Sequence, residues 1–263
     1  MQQLGEYSKF SGLKPNINKC KCIWLGPPKT PVDESLPIIW VNELKVLGIV
    51  FCAEPEQIEE LNFPDKIKSM PALLDFWRIR NLSLIGRVTV IKALAISKLV
   101  HLFSSLPTPR SETMAKIKQM LFKFIWNGKN DKIRRTKICQ SYENDGIKMV
   151  DVDLFVASLK CSWIKRLQSN SVADRKCVIG SRNSLNKRIE NLSWHGTSML
   201  KSLAKKTGNK FLADVLHAWA RFVDSYKYTP ESFTSEVIWC NDILKYKCSI
   251  NKKWSSRGLF FCE

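Results

Sequence analysis

The densest chemistry in the sequence is a run of cations: Lys129, Lys132, Arg134, Arg135 and Lys137 fall within nine residues, bracketed by Trp126 and Tyr142. Positive charge at this density neutralises phosphates, and the flanking rings offer faces on which a base or ribose can stack. A solvated loop or a localisation signal carries the same run, so composition leaves both readings open. A second pair, Arg87 and Lys98, is separated by close to three turns of α-helix, which puts both on one side of a helix about 16 Å apart. Such a rail can follow a nucleic-acid backbone, and it is equally an ordinary solubilising face. Acidic residues show no comparable arrangement. No Asp-Asp pair occurs in the chain, and the closest approach to one, Asp151-Val152-Asp153, reads as the cap of a helix rather than as a metal site.

The elements that must hold these residues are mostly helical. Residues 75–109 read as one long amphipathic helix. Ser83 is able to cap its start, Pro107 and Pro109 stop its far end, and Leu84, Val88, Ile91, Ala95, Leu99 and Leu102 form one buried stripe. A second helix begins at a capping Ser111 and ends at Gly128, with Met114, Ile117, Leu121, Phe124 and Ile125 inward and Lys116, Lys118 and Lys123 outward. Residues 154–167 repeat the helical pattern, with Phe155, Leu159, Trp163 and Leu167 on one side, and residues 211–223 are helical again. The first 55 residues instead mix turns with strand signals. Cys20, Cys22 and Trp24 alternate, a strand pair is expected at 38–40 and 46–51, and Lys45 to Phe51 reads as a sheet strand. Between them, residues 54–70 are an exposed connection that leads into a helix near Ile67.

A chain of 263 residues with 44% hydrophobic residues and nine Trp can bury one or two cores, which excludes a disordered polypeptide. Forty-two basic residues against twenty-four acidic ones give a net charge of +18, spread along most of the chain. That distribution suits a groove for a polyanion. No segment is expected to have the length of apolar run that spans a bilayer, and no signal peptide opens the chain, so the expected partner is not a membrane. Nine cysteines, at positions 20, 22, 52, 139, 161, 177, 240, 248 and 262, form no zinc spacing, and an odd count without a secretory signal favours reduced thiols inside a cell. The polar opening, from Met1 to Asn16, reads as the interior of a truncated domain.

Several motifs together resemble LINE-type (non-LTR) retrotransposon reverse transcriptases. Trp77, Arg80, Leu82, Ser83, Leu84, Gly86, Arg87, Val88, Ile91, Lys92, Leu94, Ser97, Lys98, Leu99 and His101 match the thumb signature in type and spacing. Upstream, Ser11, Gly12, Leu13, Lys14, Asn16 and Lys19 resemble the S-G-L-K-x-N-x-x-K segment that closes the family's palm, with Pro15 where a β-branched residue is commoner. Lys45, Leu47, Gly48 and Ile49 resemble its K-x-L-G-I strand pair. Downstream, Phe124 to Lys129, Gly146-Ile147, and Ala157, Leu159, Lys160, Trp163, Ile164 and Arg166 look like the segment after the thumb, except that Asp145 stands where a second glycine is common. The stretches from Ser235 to Cys248 and from Ile250 to Leu259 are similar to the family's tail, without its terminal Cys-His module.

The resemblance implies a mainly α fold: a helical thumb and post-thumb bundle with a small antiparallel β remnant of the palm at the N-terminus. It divides the chain into a palm edge (1–55), thumb helices (56–128), and a basic linker with a helical post-thumb region (129–263). It implies that Lys14, Lys19, Arg80, Arg87, Lys92 and Lys98 join the basic run as contacts to an RNA and DNA template–primer duplex, with Lys19 beside the phosphates of the incoming nucleotide. The family's aspartates and their Mg2+ belong to the missing upstream palm and fingers, so no cofactor and no catalysis are expected of this piece of an RNA-directed DNA polymerase. Two other readings stand beside it: a host-retained nucleic-acid-binding or scaffold protein, and a basic helical adaptor for protein partners.

Overall fold

The computed structural model describes residues 2–14, 16, 19–23, 39–167 and 197–225. The fold is mainly helical, with a small antiparallel sheet near the N-terminus. It divides into two compact units, Met1–Ser69 and Met70–Glu263.

The first unit opens with a helix, α1 (Gln2–Ser11), where strand and turn signals were expected. Gly12 ends it at φ 70, a left-handed conformation that suits a residue without Cβ. Ser11 secures the exit, its hydroxyl donating to the Tyr7 carbonyl at 2.8 Å and accepting from the Leu13 N–H at 3.3 Å. Two short strands, β1 (Lys21–Cys22) and β2 (Ile39–Trp40), pair in parallel. Then β3 (Glu43–Val46) pairs antiparallel with β4 (Ile49–Cys52), Val46 opposite Ile49. The expected single strand from Lys45 to Phe51 is therefore a hairpin. Its two turn residues, Leu47 at φ 50 and Gly48 at φ 84, both have the positive φ of the turn whose twist matches paired strands.

Asn62 fixes this hairpin. Its amide accepts from the Val50 N–H and donates to the Val50 carbonyl, both at 2.8 Å, and also donates to the Ile58 carbonyl. The side chain pairs with β4 as a neighbouring strand would, which covers one stretch of open edge.

Asn62 belongs to α2 (Ile58–Arg78), a helix of 21 residues that replaces the exposed connection expected up to residue 70. Pro64 and Pro71 argue against it, since each removes a backbone donor from a helix interior and costs about 3 kcal/mol. Burial of Phe63, Met70 and Leu74 along one side, with Glu59 and Glu60 in the positive first turn, outweighs that penalty.

In the second unit the stretch 75–109 is two helical elements, not one. After α2 ends at Arg78, the chain turns and restarts as α3 (Leu84–Val90), passes through a π-helical segment (Ile91–Ile96) and continues as α4 (Ser97–Ser105). Ser83 caps α3 as expected, its hydroxyl accepting from the Gly86 N–H at 3.2 Å. Leu84–Ser105 is, by length and composition, apolar enough to cross a membrane, which corrects the expectation that no segment is. Here Val88, Ile91, Ala95, Leu99 and Leu102 lie in the core, whereas Leu84 stays exposed.

Next come α5 (Ser111–Ile125) and the short α6 (Arg135–Cys139), then α7 (Val152–Leu167), α8 (Thr197–Lys206) and α9 (Lys210–Ser225). The N-cap of α5 is Arg110, without a side-chain cap bond, so the capping role expected of Ser111 is not filled. Leu200, Leu203, Leu212, Val215 and Leu216 pack with Ile164 into one apolar cluster joining α7, α8 and α9.

The buried side of α7 is offset by one residue from the expected stripe. Val152, Val156, Lys160 and Ile164 face inward, while Phe155, Leu159 and Trp163 are half-buried. Lys160 is the reason. Its ammonium donates to the Leu106 carbonyl beyond the end of α4 and lies 4.2 Å from the centre of the Phe211 ring. One turn on, the Trp163 indole donates to the Ser104 carbonyl at 2.8 Å, and from α9 the Asp214 carboxylate accepts from the Thr108 N–H at 2.7 Å. Three side chains thus satisfy backbone groups where the chain leaves α4, which ties α7 and α9 to it.

Candidate nucleic-acid interface

Lys14 and Lys19 belong to the first unit, and both are exposed. Lys19 ends a turn closed by its own N–H to the Asn16 carbonyl at 3.0 Å, and with Lys21 and Lys45 it lines an open groove that also contains Glu43. The other nine candidate cations belong to the second unit, where they separate into three groups.

Arg87 and Lys98 do not form the expected rail. A π-helical turn takes in roughly one extra residue and rotates the downstream helix by about 100° relative to an uninterrupted α-helix. Consequently Lys92 and Lys98 are exposed while Arg87 is half-buried. Its guanidinium donates to the carbonyls of Ile125 at 2.9 Å and Phe124 at 3.4 Å, at the C-terminus of α5. There it meets the negative end of the helix, a structural role that competes with phosphate binding.

The α5 terminus is a tightly specified turn. The Asn127 N–H bonds to the Phe124 carbonyl at 3.2 Å and the Gly128 N–H to the Lys123 carbonyl at 2.8 Å, the paired closure of a Schellman motif. Asn127, at φ 52, is the residue that leaves the helix, one position before the expected Gly128. Trp126 precedes it, buried, with an indole N–H that finds no acceptor among the described residues. Beside Gly128 lies the Arg78 guanidinium: a Cβ on that glycine would sit 3.8 Å from its Nη1. The end of α2 and the start of the basic run are therefore neighbours.

Arg80 occupies the turn after α2. Its guanidinium lies 4.4 Å from the centre of the Trp77 ring and 5.0 Å from that of Phe76, and the two rings meet edge to face at 6.2 Å. Cation–π attraction holds the group in a surface position. Phe76 is 58% exposed and Ile79 85%.

The basic run is itself divided. Arg135 is folded back, paired with Asp131 at 2.7 Å and lying 4.5 Å over the Phe122 ring, and Lys137 reaches Asp145 at 3.4 Å. Lys129, Lys132 and Arg134 are exposed and make no side-chain hydrogen bond or ion pair among the described residues. Past α6 the chain doubles back, with the Ile147 and Met149 N–H groups both bonded to the Ile138 carbonyl at 3.1 Å. Asp145 takes φ 53, a left-handed conformation that aspartate is one of the few side chains to tolerate. Gly146 cannot be replaced so readily. A Cβ there would stand 2.1 Å from the Gln140 carbonyl oxygen.

Asp151 caps α7, accepting from the N–H groups of Asp153 at 3.0 Å and Leu154 at 3.1 Å, while Asp153 pairs with Lys118 at 2.8 Å. Burial raises the pKa of the Cys52, Cys139 and Cys161 thiols, the opposite of what activates a nucleophile. Cys177, Cys240, Cys248, Cys262 and both tail motifs lie outside the described residues.

Sequence reasoning missed Arg78, whose place beside Gly128 depends on a tertiary contact, and the buried role of Lys160, whose acceptor is the Leu106 carbonyl on a distant segment. The Arg80 cluster did carry a signal, an Arg three and four residues after two aromatics. No family model matches the chain.

Proposed function

We propose that this chain is the C-terminal part of a non-LTR retrotransposon reverse transcriptase and serves to grip template–primer nucleic acid without joining nucleotides. The observation that carries the reading is the set of exposed, unpaired cations Lys129, Lys132 and Arg134, which start beside Arg78 and are held by the Schellman turn of α5. Free cations on a fixed frame release counterions when phosphates bind, so each adds affinity that falls as salt rises. The thumb signature and the segments around it supply the family, and the absence of any Asp-Asp pair from the sequence argues against catalysis by this chain alone. In the full polymerase the upstream palm and fingers would provide the aspartates and Mg2+.

Titrating the chain with labelled RNA–DNA hybrid, duplex DNA and single-stranded RNA at two salt concentrations tests the reading. Binding that weakens steeply with salt, and no primer extension with Mg2+ and nucleotides, is expected. Salt-independent binding, or none, removes the nucleic-acid role in favour of a protein adaptor, and primer extension contradicts the non-catalytic assignment.

A further inference from the structure

We infer that the Phe76, Trp77 and Arg80 cluster is a stacking platform for an unpaired base, so that the surface holds a duplex carrying a single-stranded overhang in preference to a blunt one. This rests on the nucleic-acid reading above and specifies the form of the ligand.

Exposure points to an occupant. More than half of Phe76 is open to solvent, the neighbouring Ile79 is almost wholly so, and neither joins the core of its unit. Apolar surface left in water beside Arg80 and beside Arg78, which pairs with Asp75 at 3.3 Å, fits a ligand that is flat, apolar on its faces and anionic at its edge. A nucleotide has those properties, and a duplex buries the base faces that an overhang presents.

Order points the same way. Arg80 is held by two rings at 4.4 and 5.0 Å, so the platform exists before anything binds and little freedom is lost on stacking. Arg78, two residues earlier, lies at Gly128, where the run of free cations begins. A strand whose phosphates track Lys129, Lys132 and Arg134 is thereby led toward the end of α2. Charge complementarity and π surface stand next to each other in the arrangement that single-strand binding requires.

The test compares a blunt RNA–DNA hybrid with the same hybrid carrying a four-nucleotide overhang, each titrated with the full chain, the Phe76→Ala variant and the Phe76→Trp variant. The unaltered chain is expected to favour the overhang. Phe76→Ala should reduce affinity for the overhang by about 5- to 100-fold while leaving the blunt hybrid within about 2-fold, and Phe76→Trp should retain the preference. An overhang carrying 5-iodouridine should cross-link to the 76–80 segment on irradiation. Equal binding of both hybrids by the unaltered chain overturns the inference, as does a Phe76→Ala variant that keeps the preference, with the nucleic-acid reading left standing. Failure to bind either hybrid removes that reading and this inference with it.

Discussion

The Arg87 guanidinium donates to the Ile125 carbonyl at 2.9 Å, so α3 and α5 are joined by a charged side chain at a helix end. Hydrogen bonds from a charged donor to carbonyls at a negative helix terminus are among the stronger polar contacts in a protein. Arg87 therefore serves the fold first.

Replacing Arg87 with methionine should destabilise the second unit by about 2 kcal/mol and lower its Tm by about 4–8 °C. The salt dependence of nucleic-acid binding should stay unchanged, because the guanidinium is already engaged. Thermal unfolding and a salt titration of the same variant check both halves. A lower salt slope with an unaltered Tm would assign Arg87 to phosphate instead.

Lys160 gives the fold a pH dependence. Burial lowers its pKa from 10.5 to about 8, and Asp214 offsets part of that effect. Between these two values the unfolded chain keeps a proton that the folded chain has released, so stability rises with pH across that window and is lost again as pH falls below it. The gain between about pH 7.5 and about pH 10 should be about 2–3 kcal/mol. Urea unfolding of the chain and of Lys160→Met at both pH values, taken as a difference, isolates it, since the other titrating groups cancel. Parallel behaviour of the two proteins would show that the ammonium is not desolvated.

Two glycines should respond with opposite sign. Gly146→Ala places a methyl 2.1 Å from a backbone oxygen that cannot swing away, and should cost at least about 3 kcal/mol. Gly86→Ala puts its methyl at ordinary distances, 3.5 Å from the Ser83 hydroxyl and 3.6 Å from the Leu82 Cβ, in the first turns of α3. It should stabilise by about 0.5–1 kcal/mol through lower backbone freedom in the unfolded chain. Denaturant midpoints decide both.

Much of the fold was legible wherever burial and residue type agree. The inward face of α5, from Met114 to Ile125, and the Ser83 cap derive directly from periodicity and local hydrogen bonding. Elsewhere a tertiary contact overrode the local signal. The connection expected over residues 54–70 is helical from Ile58 despite Pro64 and Pro71, because Phe63, Met70 and Leu74 bury enough surface to keep α2 helical. Lys160 lies off the expected face of α7 and displaces it, because the carbonyl that accepts its hydrogen bond lies on a distant segment. The π-helical segment has no signature in residue types, so the relation between Arg87 and Lys98 could not be read from their spacing alone. Within the candidate interface, the basic run was visible as composition, while its division into paired and free cations depends on where Asp131, Asp145 and Phe122 come to rest.

If Lys129, Lys132 and Arg134 hold phosphates, the salt dependence of binding measures this most directly. Replacing all three with glutamine should reduce the slope of log affinity against log salt for an RNA–DNA hybrid by about 2 to 3. Thermal stability should be retained, since none of the three has a partner to lose among the described residues. An unchanged slope in a folded triple variant would contradict the account.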